Sequence, residues 1–128
     1  MWAVVHAGRG QYAAAAYAPS ADGGLMCVVA ETIVSPQELC EMMANDDGGC
    51  ALTGEFDDAL EGLARERMGQ RLTIAPDALR VRSAANAARL GLLRLSRGDA
   101  DDVAALEPLY LRPPAAVERA EARARSGQ

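Results

Sequence analysis

Histidine occurs once in these 128 residues, at His6, and lysine does not occur at all. A single histidine excludes a His-x-x-His or His-Glu-x-x-His metal site built by this chain alone. The three cysteines, Cys27, Cys40 and Cys50, are odd in number and fall in no Cys-x-x-Cys spacing. Such usage argues against a disulfide framework and predicts reduced thiols in a cytoplasmic setting. Half the residues are hydrophobic, yet no run approaches the roughly 18 apolar residues that cross a bilayer. The first residues lack the basic start and apolar run of a signal peptide.

All thirteen basic residues are arginine, and they are unevenly placed. Residues 1–62 hold ten acidic groups and one basic (Arg9), a charge of −9, whereas residues 63–128 hold eight acidic and twelve basic, +4. The net charge of −5 argues against general nucleic-acid binding, which needs clustered positive charge to displace phosphate counterions. The length suits one domain with a single core.

Residues 2–6 and 11–18 read as strands joined by a tight turn that contains Gly8 and Gly10. The alanine run 13–16 has poor strand propensity, so the second strand rests on Tyr12 and Tyr17. Asp22-Gly23-Gly24 marks a turn, and residues 25–34, rich in β-branched side chains, form a third strand. Ser35, Pro36 and Glu38 then spell a helix start with a capping box, and Leu39, Met42 and Met43 its buried stripe. Residues 50–53 predict a short buried strand, and Gly54 leads into a helix over about 56–68 that Gly69 ends. Residues 71–75 read as a strand, and Ser83 opens the longest helix, to about Arg97 with Gly98 as its stop. Ala85, Ala88, Leu92 and Leu95 share one face of that helix, and their size predicts close packing on a sheet. Residues 108–112 are extended. The order β-β-β-α-β-α-β-α predicts an α/β fold with a mixed sheet flanked by helices, as in a ribonuclease-H-like or actin-like lobe. The domain spans 1–113, and the charged tail 114–128 reads as frayed helix or disorder.

Few residues suggest chemistry. Cys27 and Cys40 read as small core hydrophobes. Asp46-Asp47, Asp57-Asp58 and the Asp99, Asp101 and Asp102 group fit helix starts and polar loops better than a Mg²⁺ site. Gly54, at a strand-to-helix junction, is the one candidate cofactor-binding residue, because glycine there admits a close-lying anion; a plain tight turn is the competing reading. Arg89, Arg94 and Arg97, with Arg80 and Arg82 before them, offer either a phosphate-facing surface or a solvated helix face, with no aromatic platform for base stacking.

Two segments carry a resemblance. Val4-Val5-His6-Ala7-Gly8-Arg9-Gly10-Gln11-Tyr12 resembles the Asp-Ala-Arg-Arg-Gly-Glu stretch of the TsaB (YeaZ) family, with Ala7, Arg9 and Gly10 matching and His6, Gly8 and Gln11 departing. Leu106-Glu107-Pro108-Leu109-Tyr110-Leu111-Arg112 is similar to that family's closing Pro-x-Tyr-Leu-Arg, through Pro108, Tyr110, Leu111 and Arg112. The resemblance implies a non-catalytic partner lobe in tRNA N6-threonylcarbamoyladenosine formation, without catalytic or metal-binding residues. It implies a TsaD-like catalytic subunit and a TsaE-like ATPase as partners, with tRNA met only indirectly. ATP would bind only at an interface with a partner lobe or subunit, and the chain would begin where an N-terminal actin-like lobe ends. A lone lobe would also have surface through which to form a homodimer. The alternative readings are a nucleotide-binding phosphotransferase-like lobe or a Cys-dependent hydrolase, and a small oligomerising domain unconnected to tRNA. On the family reading, Tyr110→Ala is expected to destabilise the fold.

Overall fold

A computed structural model describes residues 1–21, 23–45 and 48–112. Asp22, Asp46, Asp47 and the expected tail fall outside those residues. The hairpin forms as its turn residues demand. Trp2–Gly8 (β1) and Gln11–Pro19 (β2) pair antiparallel across Arg9-Gly10, whose φ angles are 55° and 68°. Positive φ at both central positions gives the mirror-image turn whose twist matches that of the strands. Arg9 is the only non-glycine with positive φ among the described residues. Asparagine tolerates that conformation better, so Arg9→Asn is expected to raise stability by about 1 kcal/mol. An unmoved or lower urea midpoint would show that the Arg9 side chain contributes more than its backbone strain.

Leu25–Val34 (β3) pairs antiparallel with β2, while Cys50–Gly54 (β4) and Leu72–Ile74 (β5) run parallel to β1. The sheet order is β3-β2-β1-β4-β5, a mixed, open five-stranded sheet. The alanine run stays in strand because β2 is hydrogen-bonded on both sides, with Ala14, Ala15 and Ala16 buried. Ladder pairing and burial outweigh propensity here.

Pro36–Ala44 (α1) begins with the expected capping box. Ser35 Oγ accepts from the Glu38 N–H at 3.2 Å, and the Ser35 N–H donates to the Glu38 carboxylate at 2.8 Å. Asp58–Met68 (α2) starts two residues later than the sequence suggests, because Asp57 serves as N-cap and Phe56 is spent on the core. The two helices pack against each other and on one sheet face. Between them and the sheet lie Trp2, Val4, Tyr12, Leu39, Met43, Leu52, Leu60 and Met68, all buried. Among the described residues no helix is long and apolar enough to cross a membrane.

Ala84–Ser96 (α3) has the expected cap, with Ser83 Oγ accepting from the Asn86 N–H. Its packing differs from expectation. No residue of α3 is buried, and Leu92 and Leu95 are 65% and 60% exposed. Periodicity settles which side chains share a face, not what that face meets. The chain entering α3 is fastened at Arg82, whose Nε donates to Glu55 Oε1 at 2.7 Å, and the helix leaves the sheet from that point. β3 also corrects an expectation. As an edge strand it exposes Leu25, Met26 and Val28, and Cys27 is exposed with them, not a core residue. Cys40 and Cys50 are buried.

Candidate functional site

The two segments singled out in the sequence meet in space. Arg112 donates to the Ala7 carbonyl at 3.1 Å and to the Gln11 side-chain oxygen, residues that flank the Arg9-Gly10 turn. Leu111, half-buried, turns onto the sheet face away from α1 and α2, beside Ala3, Val5 and Ala13. Pro108 and Tyr110 do not join them: both are exposed, Tyr110 at 76%. A side chain so exposed leaves no cavity when shortened, so the expected instability of Tyr110→Ala does not follow from the structure. Tyr110→Ala should instead stay within about 0.5 kcal/mol of the parent protein. Arg112→Ala should cost about 1–3 kcal/mol, because it removes a charged donor that bonds two half-buried acceptors. Thermal unfolding of the two variants side by side checks both values; equal losses would contradict this assignment.

A second cluster lies at the carboxyl ends of β1 and β4, the edge where open α/β sheets receive ligands. The exposed His6 ring stacks obliquely on Tyr12, with centroids 4.8 Å apart. The Tyr12 hydroxyl donates to the Asp57 carboxylate, which also accepts the Leu60 N–H at 2.9 Å. A cleft of about 400 Å³ opens there, lined by His6, Gly10, Tyr12, Gln37 and Asp57. Burial, then the bond to Asp57, pushes the Tyr12 phenol up. The Leu60 N–H, then the Tyr12 hydroxyl, holds Asp57 below the ordinary carboxylate range. The pair is thus a neutral phenol donating to an ionised carboxylate that also caps α2, and it ties β2 to the start of that helix. Asp57 stands at a helix start, as its place in the sequence suggests, but no local spacing signals its bond to Tyr12.

The lowered Asp57 carries a pH consequence. A carboxyl whose folded pKa lies below its unfolded one contributes stability that is complete above the unfolded value and lost as pH falls through the folded value. Glu38, held down by the Ser35 N–H and then its hydroxyl, acts in the same direction. Stability should therefore decline on acidification, and Asp57→Asn should flatten that decline because asparagine cannot ionise. Urea midpoints measured from neutral into acid solution would show it; parallel curves for parent and variant would contradict it.

Gly54 has a reason of its own. Its φ is +105°, and a Cβ there would stand 2.0 Å from the Val4 carbonyl oxygen. The next N–H, of Glu55, donates to that same oxygen at 2.8 Å. Close approach of β4 to β1 therefore requires glycine at this position. The Gly54 carbonyl in turn accepts from Arg80 Nε at 3.3 Å. Arg80 also donates to the Phe56 carbonyl at 3.1 Å, lies 3.7 Å above the Phe56 ring, and pairs with Asp77 at 3.0 Å.

Three of the arginines singled out in the sequence are already engaged within the chain. Arg80 turns inward, Arg82 pairs with Glu55, and Arg94 bonds both Asp99 and Asp101 at 2.7–3.0 Å. Burial pushes the Cys40 thiol up, which keeps it protonated and a weak nucleophile. Among the described residues no group of three or more His, Cys, Asp or Glu is placed to hold a metal ion. No protein-family model matches the chain, and no curated protein matches it.

Proposed function

We propose that this chain is a non-catalytic partner lobe of the TsaB (YeaZ) kind, supporting N6-threonylcarbamoyladenosine formation on tRNA. It would act beside a TsaD-like catalytic subunit and a TsaE-like ATPase, and would touch tRNA only through them. The observation that carries the reading is the contact of Arg112 with Ala7 and Gln11. Two segments about a hundred residues apart, chosen because both resemble one family, meet through Arg112. The sheet order β3-β2-β1-β4-β5, with β2 antiparallel to both neighbours, supports the finer reading of a ribonuclease-H-like lobe.

ATP would be held only where this lobe meets a partner. Reconstitution tests the reading: the chain is added to a TsaD-like subunit and a TsaE-like ATPase with tRNA, ATP, threonine and bicarbonate. Modified adenosine should form only when the chain is present. Equal product without it would overturn the proposal.

A further inference from the structure

β1, β4 and β5 run parallel to one another, and parallel strands are commonly buried under helices on both faces. In this chain α1 and α2 cover one face. α3 leaves the other bare: none of its residues is buried, and a groove of about 440 Å³ stays open there. Its floor crosses three strands, with Ala13 and Ala15 from β2, Val5 from β1 and Thr53 from β4, and Leu79 and Leu111 border it. Strands spaced about 4.8 Å apart make such a floor about 10 Å wide, the diameter of a helix. Short side chains on the floor leave room for long ones above it.

Charge narrows the choice of helix. Of the ionised side chains that line the groove, Arg80 and Arg82 are matched by Asp77 and Glu55, at 3.0 and 2.7 Å. Glu31 lines it as well, near Tyr17, and forms no ion pair with any described residue. The groove is thus left with an uncompensated negative charge. β1 to β4 all lie within residues 1–62, which carry −9 in total, so the surrounding field favours a cation too. A second copy of the chain brings the same net charge of −5 and fits this surface less well than a basic partner.

We propose that the groove seats an amphipathic helix of a different protein, laid with leucine-sized side chains on the alanine floor and an arginine or lysine at Glu31. An amphipathic helix binds such a groove through its apolar face, and the charge at Glu31 fixes which flank points to β3. The groove is open in the chain alone, so docking needs no rearrangement of the sheet.

The probe is a fluorescein-labelled synthetic helix with a leucine stripe flanked by arginines, titrated with the full chain and read by anisotropy. Saturable binding is expected, with a dissociation constant on the order of 10 μM. Ala13→Glu puts a charge on the floor and should weaken binding about a hundredfold, with circular dichroism checking that the variant is folded. Glu31→Arg, on the exposed edge strand, should weaken it about tenfold. A probe with glutamate in place of arginine should recover that loss on the Glu31→Arg chain. Glu66→Arg, at an exposed position of α2, should leave binding unchanged; a loss equal to that of Glu31→Arg would mean general attraction between opposite charges, which overturns the proposal. Absence of binding at millimolar chain would overturn it too, as would binding that folded Ala13→Glu protein retains in full. Binding that appears only in the Leu92→Glu/Leu95→Glu variant would mean that the chain's own α3 fills the groove, which also overturns it. These measurements involve neither tRNA nor a catalytic subunit, so they read the groove independently of any role in tRNA modification.

Discussion

Gly54→Ala should prevent the domain from folding stably, with a loss of roughly 4 kcal/mol or more. The added Cβ would sit 2.0 Å from the Val4 carbonyl oxygen, at a residue whose φ is +105°. Both faults act together. The obstacle is strand backbone, which cannot swing aside as the end of a long side chain can, and the conformation is one that side chains with a Cβ avoid. Relief would require β4 to part from β1, breaking the Glu55 N–H bond to Val4 and the seat of Arg80 on the Gly54 carbonyl. Gly62→Ala is the informative contrast. Gly62 lies inside α2 with nothing within 4 Å of a new Cβ, so alanine there should stabilise by about 0.5–1 kcal/mol. Chemical denaturation of both variants separates close approach from simple chain entropy. A Gly54→Ala protein with a near-parental midpoint would show that β1 and β4 are not so closely joined.

Leu52→Ala should cost about 2–5 kcal/mol. Leu52 is fully buried on the inner strand β4, opposite Trp2 of β1, and faces the layer formed by α1 and α2. Shortening it removes transfer free energy and leaves a hole that neighbours on two strands and two helices cannot collapse into. Leu92→Ala removes the same atoms from a side chain that is 65% exposed, and in dilute solution should change stability by no more than about 0.5 kcal/mol. The comparison locates the core between the sheet and the first two helices. Similar losses in both variants would place α3 within it.

What could be read from the sequence was local. The Ser35-Glu38 capping box and the Ser83 cap each depend on residues within four positions of one another, and each formed where the spacing put it; the first hairpin turn formed too, but at Arg9-Gly10, with Gly8 as the last residue of β1. The element order followed, because alternating strand and helix signals are also local. The failures are non-local. Cys27 sits in a strand as expected, but exposure was decided by that strand's place at the sheet edge. The stripe Ala85, Ala88, Leu92 and Leu95 is real, yet whether it meets a sheet depends on where Arg82 ties the preceding chain. Tyr110 was expected to anchor the fold, whereas its neighbours Leu111 and Arg112 make the contacts. Tyr12–Asp57 and Arg80–Phe56 join residues 45 and 24 positions apart, and no periodicity signals either pair.

The site followed the same rule. Gly54 was noticed because glycine at a strand-to-helix junction can admit a ligand; the atom that approaches it is the Val4 oxygen of its own sheet. Arg80 was noticed as positive charge, whereas its guanidinium is spent on two carbonyls, a ring and Asp77. Charge and composition indicate which groups are available, and only the three-dimensional fold determines which of them are already satisfied.

The most direct test of the tRNA-modification reading is the N6-threonylcarbamoyladenosine content of tRNA from cells in which this chain can be switched off, measured by mass spectrometry of tRNA nucleosides. The partner-lobe account predicts that the modified nucleoside falls on depletion, returns when the parent chain is re-expressed, and returns incompletely with Arg112→Ala. Undiminished N6-threonylcarbamoyladenosine after depletion would contradict it.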